Sequence, residues 1–453
     1  MSLKSKNRLP LRRSAGFRSL LMALLTAASL AAWALDPIDD LKRANELVEQ
    51  RQFALARAYL APALVAPQLS DSQRAYAFAL RAFSFDQQAM PVSALRDLNR
   101  ALEFDPNNSD ALAALGQMHF TGRGAAQNAA VGVAFFEEAA IQYQVTAMAY
   151  LGYALLLGEG IPPDLESARI WLSRAVEAGS GFAALHLAAS YRVKHAGDAA
   201  NTDLAEHFYR RGIELGQPDA LVALSYMHAQ GEFGAVDHAR AVELLMQAVD
   251  AEVAVANVAL AYAYLTGRGV DVDYALAKKH YEVAATEGLS DAFAGLGYLY
   301  ESGLGVSQDL SQAQHLYLQA AELGDTHAQL QVAAILQSEA KDIAGAVYWL
   351  RQAAAADSTE GLNNLAWILS TSVDADLRDS VAAVKFATQA VVQAETPISL
   401  DTLAAAYAEA GQFEEAIATQ QRALAMLTPE SANIRPELQE RLERYEMGKP
   451  WRE

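Results

Sequence analysis

The sequence predicts an all-α solenoid of about eleven antiparallel helix pairs, and three observations predict it. A leucine followed by a small residue recurs at Leu115-Gly116, Leu151-Gly152, Leu187-Ala188, Leu224-Ser225, Leu260-Ala261, Leu296-Gly297 and, more weakly, Val332-Ala333. The steps are 36, 36, 37, 36, 36 and 36 residues. A second small residue, at Gly132, Ala168, Ala205, Ala241, Ala277, Ala313 and Ala346, keeps the same period until a last step of 33. Within each period, apolar residues recur at helical spacing in two runs joined by a turn. A two-helix unit cannot bury its own apolar face, so a register held over seven units specifies stacking of neighbours.

The chain opens on a different pattern. Residues 1–34 carry Lys4, Lys6, Arg8, Arg12, Arg13 and Arg18 and no acidic residue. An uncharged run of 17 residues follows from Ser19 to Leu35, and it contains Ala32-Trp33-Ala34. A basic stretch, a short apolar stretch and an A-x-A site describe a secretory signal peptide. The run is also at the lower limit for spanning a bilayer, so an uncleaved anchor is the rival reading. Either way the body is expected across the membrane from the cytoplasm, periplasmic or secreted. Removing those six cations takes the formal charge from −19 to −25.

The sixth unit, Asp291 to Gly324, is the clearest. Ala292, Leu296, Tyr300 and Gly303 share one face of its first helix, and Ala313, Tyr317, Ala320 and Ala321 mark the second. Four residues before each second-helix marker stands Asn128, Asp164, Asn201, Asp237, Asp273, Asp309 or Asp342. Such side chains accept hydrogen bonds from the unpaired amides of a helix start, so capping explains this column. Paired glycines turn the first helix into the second at 122 and 124, 158 and 160, 231 and 234, 267 and 269, and 303 and 305. No strand precedes them, so the GxG spacing is a turn and not a phosphate cradle. The third and seventh units lack the pair, and their turns should differ in shape. Near the C-terminal side, Leu438, Leu442 and Tyr445 align on one face of a helix over Pro436–Met447, with Glu437, Glu440, Arg441 and Arg444 elsewhere. That helix suits a cap for the last apolar edge, with Trp451 folding back over it.

These residues resemble the Sel-one-like repeat, a branch of the tetratricopeptide repeat superfamily. Ala256–Gly288 and Ala292–Gly324 follow its pattern almost throughout, and Ala147–Gly179 follows it with Trp171 in the aromatic slot. The unit beginning near Ala183 is degenerate, and so is the seventh, where Asp357 replaces the closing glycine. Ala44, Leu47, Ala56, Leu60 and Ala63, then Ala94, Leu98 and Ala101, look like tetratricopeptide repeats. So do Leu365, Ala366, Ala383, Ala387 and Ala390, and then Leu403, Ala404, Tyr407, Gly411, Ala416 and Ala423; Gln420 departs from that pattern. The expected order is a signal segment at 1–34, tetratricopeptide-like repeats at 35–109, seven Sel-one-like repeats at 110–359, further tetratricopeptide-like repeats at 360–430, and a capping helix and tail at 431–453. The resemblance implies a right-handed superhelix and a scaffold or adaptor role without a shared reaction.

The chemistry of an enzyme is not written in the chain. There are no cysteines, which removes disulfide frameworks, cysteine-based zinc and iron–sulfur sites and thiol catalysis. The charge of −19 argues against a duplex nucleic-acid binder. No HExxH, GxSxG, Walker or kinase motif is present, so neither a cofactor nor a metal is expected. His119 and His228 stand in the slot held elsewhere by Tyr264 and Tyr300, which points to packing. One column is unusual: Tyr153, Tyr226, Tyr262 and Tyr298 lie two residues after the leucine marker, about 200° around the first helix from it. Gln117, Ala189 and Ala334 hold that position in the other units. Four tyrosines at one outward-tilted position either pack between neighbouring first helices or form a ladder that contacts a protein or peptide. The expected function is an exported, non-enzymatic scaffold binding such a partner along its groove. A cell-wall or exopolysaccharide binding or processing factor is the alternative, and self-assembly through the exposed ends is a third reading.

Overall fold

In a computed structural model, residues 36–192, 199–429 and 431–453 are described, and the residues proposed as a signal segment lie outside them. Among the described residues there are 23 α-helices and no strand, arranged as eleven consecutive helix–turn–helix pairs and one final helix. The all-α repeat fold is therefore the one the periodicity predicts. The helices group into two compact units, one running to Ala220 and the other from Leu221.

The first unit holds α1 (Pro37–Glu49), α2 (Phe53–Val65), α3 (Asp71–Asp86), α4 (Pro91–Phe104), α5 (Ser109–Thr121), α6 (Ala129–Ala140), α7 (Val145–Leu157), α8 (Leu165–Glu177), α9 (Gly181–Arg192) and α10 (Ala199–Glu214). The division falls in the first turn of α11 (Asp219–Gln230). The second unit continues with α12 (His238–Asp250), α13 (Ala254–Thr266), α14 (Tyr274–Thr286), α15 (Ser290–Ser302), α16 (Leu310–Glu322), α17 (Thr326–Ile335) and α18 (Ile343–Ala355). It ends with α19 (Thr359–Thr371), α20 (Ser380–Gln393), α21 (Pro397–Glu409), α22 (Phe413–Ala425) and α23 (Arg435–Glu446).

The two marker columns are the hairpin cores. All seven residues of the leucine column are buried, from Leu187 at 0% to Val332 at 7% exposure, and so is every residue of the second column. The small residue after the leucine has a steric cause. A Cβ on Gly116 would stand 2.6 Å from the Phe136 ring, one on Gly152 2.7 Å from Leu172, and one on Gly297 2.9 Å from the Tyr317 ring. In these three hairpins the second helix lays a large core side chain on that bare backbone, which sets how closely the two helices approach.

Six of the seven predicted caps form. Asn128, Asp237, Asp309 and Asp342 each accept from the amide three residues on, and Asp164 and Asp273 each accept from two amides. Five of them also donate their own amide to a carbonyl in the last turn of the preceding helix, as Asp309 does to Tyr300 at 2.9 Å. Asn201 is placed differently. Helix α10 already begins at Ala199, so Asn201 sits inside its first turn rather than before it. Asp309→Ala should therefore cost about 1 kcal/mol of stability, measured by denaturant unfolding. At Asp164 the Ser167 hydroxyl, then the Ser167 and Glu166 amides, hold the carboxyl below its ordinary range. That cap contributes above the unfolded carboxylate pKa and is lost as pH falls through the depressed value.

The paired glycines all have positive φ, from +68° at Gly303 to +101° at Gly234. Four of the second members, Gly124, Gly160, Gly269 and Gly305, also meet the neighbouring hairpin, whereas a Cβ on Gly234 would meet nothing. A Cβ on Gly269 would lie 2.1 Å from the His238 carbonyl oxygen, at the first residue of α12, and one on Gly160 would lie 2.4 Å from Ala129, at the first residue of α6. The turn of one hairpin thus rests on the second-helix start of the hairpin before it. The seventh unit, which lacks the pair, turns through a π-helical stretch at Leu336–Ala340 and a left-handed Lys341, as a differing shape required. The corresponding turn of the third unit, residues 193–198, lies outside the described residues.

The last hairpins explain two departures. Gln420 is fully buried, and its amide donates to the Asp401 carboxylate at 2.6 Å and to the Leu438 carbonyl at 3.0 Å. A polar residue stands in an apolar slot there because it joins the final helix to the stack. Arg441 is buried as well: three residues after Leu438 and four before Tyr445, it lies on the flank of their face, not elsewhere as expected. Its guanidinium pairs with buried Asp401 at 2.7 Å and lies over the rings of Trp367 and Trp451. An arginine can be buried in this way when its charge is paired and its planar head is stacked.

Candidate functional site: the tyrosine column and the groove beside it

The second unit brings three of the four predicted tyrosines together. Tyr226 on α11, Tyr262 on α13 and Tyr298 on α15 are 50%, 45% and 46% exposed, at the same register position of three successive first helices. They line a concavity of about 930 Å³. Its floor includes Tyr281 of α14, whose ring lies where a Cβ on Gly295 would come within 2.5 Å. Burial, followed by the proximity of Tyr262 and Asp291, pushes the Tyr281 hydroxyl up to about 12, so it stays protonated and neutral.

The wall of this groove is unevenly charged. Arg268 lies over the Tyr262 ring at 5.4 Å to its centroid. On another part of the lining, Asp291 and Asp325 approach each other. Burial, the hydrogen bond with Asp325 and that residue's charge raise the Asp291 pKa. Asp325 is meanwhile committed to capping α17 through the Ala328 amide. The carboxyl pair was not singled out from sequence, because each member reads as an ordinary residue of a helix start.

Tyr153 belongs to the first unit and has different surroundings. Its ring is half-buried, 4.4 Å from His186, 5.7 Å from Phe182 and 6.2 Å from Phe120, centroid to centroid. Burial pushes the His186 imidazole down to about 4, so it is neutral at physiological pH and serves as an aromatic packing partner. The other histidines named from the pattern also pack. His119 stacks on Phe135 at 5.9 Å, and His228 lies 4.6 Å from Phe233.

The structure adds a residue to the column. Leu365-Ala366 is the marker pair of α19, so Trp367 occupies the ladder position two residues on. Its indole N–H donates to the carboxylate of Glu453, 86 residues away. The marker pair pointed to this position, but the contact itself has no periodic trace in the sequence. Among the described residues, no group of three or more His, Cys, Asp or Glu side chains could hold a metal ion. No described helix is long and apolar enough to cross a membrane.

Antiparallel hairpins recurring every 36 or 37 residues, with glycine turns at Gly124, Gly160, Gly269 and Gly305 seated on the hairpin before, define a helical-repeat protein. The Sel1 repeat matches residues 109–143, 145–180, 218–252, 254–289, 290–325 and 327–358, and passes over the degenerate unit between 181 and 217. The chain belongs to the Sel1 repeat family. It is similar to the c5321 protein, a protective antigen of uropathogenic Escherichia coli strains with an SLR fold, at 20% identity and a TM-score of 0.45, over 90% of this chain and 83% of that one. A Sel1 repeat protein from Oxalobacter formigenes is similar at 22% identity and a TM-score of 0.45, over 54% and 96%. Yeast Tom70 is similar at 12% identity and a TM-score of 0.37, over 91% and 96%. No curated protein matches the chain. Sel1 repeat proteins are generally scaffolds for protein interactions, and the family is typically non-enzymatic.

Proposed function

We propose that the protein is an exported, non-enzymatic scaffold that binds a protein or peptide partner along the tyrosine column of its second unit. The carrying observation is that Tyr226, Tyr262 and Tyr298 stand half-exposed in one row beside a groove of about 930 Å³. Large aromatic side chains left half in water cost little conformational freedom on binding and bury substantial area when covered. Rings on successive hairpins would be about 10 Å apart, matching about three residues of extended peptide. The acidic formal charge of −19 and the Asp291/Asp325 pair favour a neutral or basic partner. Export is supported by the basic stretch, the apolar run and Ala32-Trp33-Ala34. On this reading Tyr153 contributes to packing in the first unit and not to the contact surface.

The test is the triple variant Tyr226→Ser, Tyr262→Ser and Tyr298→Ser, compared with wild type by crosslinking in the native envelope and by thermal unfolding. Loss of the captured partner with little change in Tm is expected. A large fall in Tm with capture unchanged would assign the rings to packing between first helices and defeat the proposal.

A further inference from the structure

The ladder position on α19 already touches an extended stretch of polypeptide. Residues 451–453 lie against the first helices α19 and α21 and against the turn after α19. The Glu453 amide donates to the Thr371 carbonyl at 2.9 Å, and the Val373 amide donates to the Glu453 carbonyl at 3.3 Å. That reciprocal main-chain pairing is how an added extended segment is held. The side chains give it direction. Arg452 pairs with Glu409 at the end of α21 and donates to the Ser370 carbonyl, while the Glu453 carboxylate accepts from the indoles of Trp367 and Trp451. Trp451 lies over the guanidinium groups of Arg441 and Arg444. Glu453 itself borders a concavity of about 610 Å³, lined also by Trp367, Leu377, Lys341 and Ile343.

We propose that residues 451–453 are an intramolecular ligand of this surface, and that it accepts in their place an extended peptide with the order aromatic, arginine, acidic residue. The recognition elements are fixed: Glu409 reads the arginine, the Trp367 indole reads the acidic side chain, and the main chain at Thr371 and Val373 holds the backbone. A partner longer than the internal segment also fills the adjoining concavity, which is how it outcompetes a tethered rival. Tethering places the internal segment at an effective concentration on the order of millimolar. A free peptide therefore binds weakly until the segment is released. The inference rests on reading the ladder row as a peptide-contact surface, but it concerns a different stretch of that row from Tyr226, Tyr262 and Tyr298.

The experiment uses the full chain and a fluorescein-labelled, C-terminally amidated peptide of residues 447–453, followed by fluorescence anisotropy. The variant Arg452→Ala with Glu453→Ala removes the segment's polar contacts and keeps Trp451 in place. It should bind the peptide roughly tenfold or more tighter than wild type, and adding Glu409→Gln should remove that gain. Equal binding by wild type and the release variant, or no binding by either, would overturn the proposal. Amide hydrogen exchange in the wild type gives an independent readout should the variant fold poorly: protection of Val373 and Glu453 is expected, and free exchange at both overturns it. The tyrosine triple variant keeps its peptide response if only the partner-binding reading fails. Loss of the peptide response with partner capture intact means that only the present inference fails.

Discussion

Replacing Arg441 by alanine is expected to lower stability by about 3–5 kcal/mol, because it leaves a buried carboxylate without its counter-charge. Asp401 and Arg441 are each under 10% exposed, and their 2.7 Å contact ties α23 to α21. The same change removes the guanidinium that lies over both Trp367 and Trp451, so the segment bearing Trp451 should loosen with it. A repeat stack opens from its ends, so the loss should appear as fast amide exchange in α21–α23 before global unfolding. The pH dependence has a definite sign. Burial raises the Asp401 pKa, and Arg441 and Gln420 only partly oppose it. A raised carboxyl pKa contributes stability below the unfolded value, and that contribution is lost as pH rises through the folded value. Removing Arg441 raises the pKa further, so the deficit should be largest at neutral pH and should shrink in acid, where Asp401 takes a proton. Replacing both partners, as Asp401→Leu with Arg441→Met, should recover most of the loss. A single variant within 1 kcal/mol of wild type at pH 7 would contradict this account.

Gly269→Ala is the second large effect, expected at roughly 3 kcal/mol from two additive causes. The first is backbone strain: φ is +81°, which an alanine adopts at a cost of about 1 kcal/mol. The second is steric: the new Cβ would fall 2.1 Å from the His238 carbonyl oxygen, and that oxygen belongs to main chain, which cannot rotate aside. The first turn of α12 must move instead. Gly324→Ala separates the causes, because φ there is +93° but nothing lies within 4 Å of the added atom. It should cost only the strain, about 1 kcal/mol. Denaturant unfolding of both variants checks the difference. Equal losses would mean that the contact between hairpins contributes nothing.

The fold was legible because its determinants are local and recur. Leu296, Gly297, Asp309 and Ala313 each do one job inside one hairpin, and the same job recurs in most copies, so spacing alone exposes it. The Asp309 cap and the Gly303/Gly305 turn needed no knowledge of the neighbours. What escaped is non-periodic or distant. Asn201 keeps the column's spacing but lies inside a helix that begins earlier. The second glycine of each pair reads as a turn residue, whereas at Gly160 and Gly269 its bareness is also demanded by the hairpin before. Arg441 reads as a solvated cation because it is charged, although it flanks Leu438 and Tyr445, and it is held by Asp401, 40 residues earlier. At the candidate site, the column of Tyr226, Tyr262 and Tyr298 was visible as a spacing, while the different surroundings of Tyr153 were not. Those depend on Phe182 and His186, which no rule of position links to it.

The cap amides carry a consequence for how this molecule can change length. Asn128, Asp164, Asp237, Asp273 and Asp309 each close their turn onto a carbonyl of the same hairpin, so the bend is complete without help from adjacent copies. The glycine seat is one of the contacts that pass from one copy to the next, and it meets the same kind of backbone at Ala129, His238 and Tyr274. Excision or duplication of one whole period therefore rejoins matching surfaces. Reach can be lengthened or shortened in single steps of one hairpin, whereas a deletion of any other size breaks the register of everything downstream.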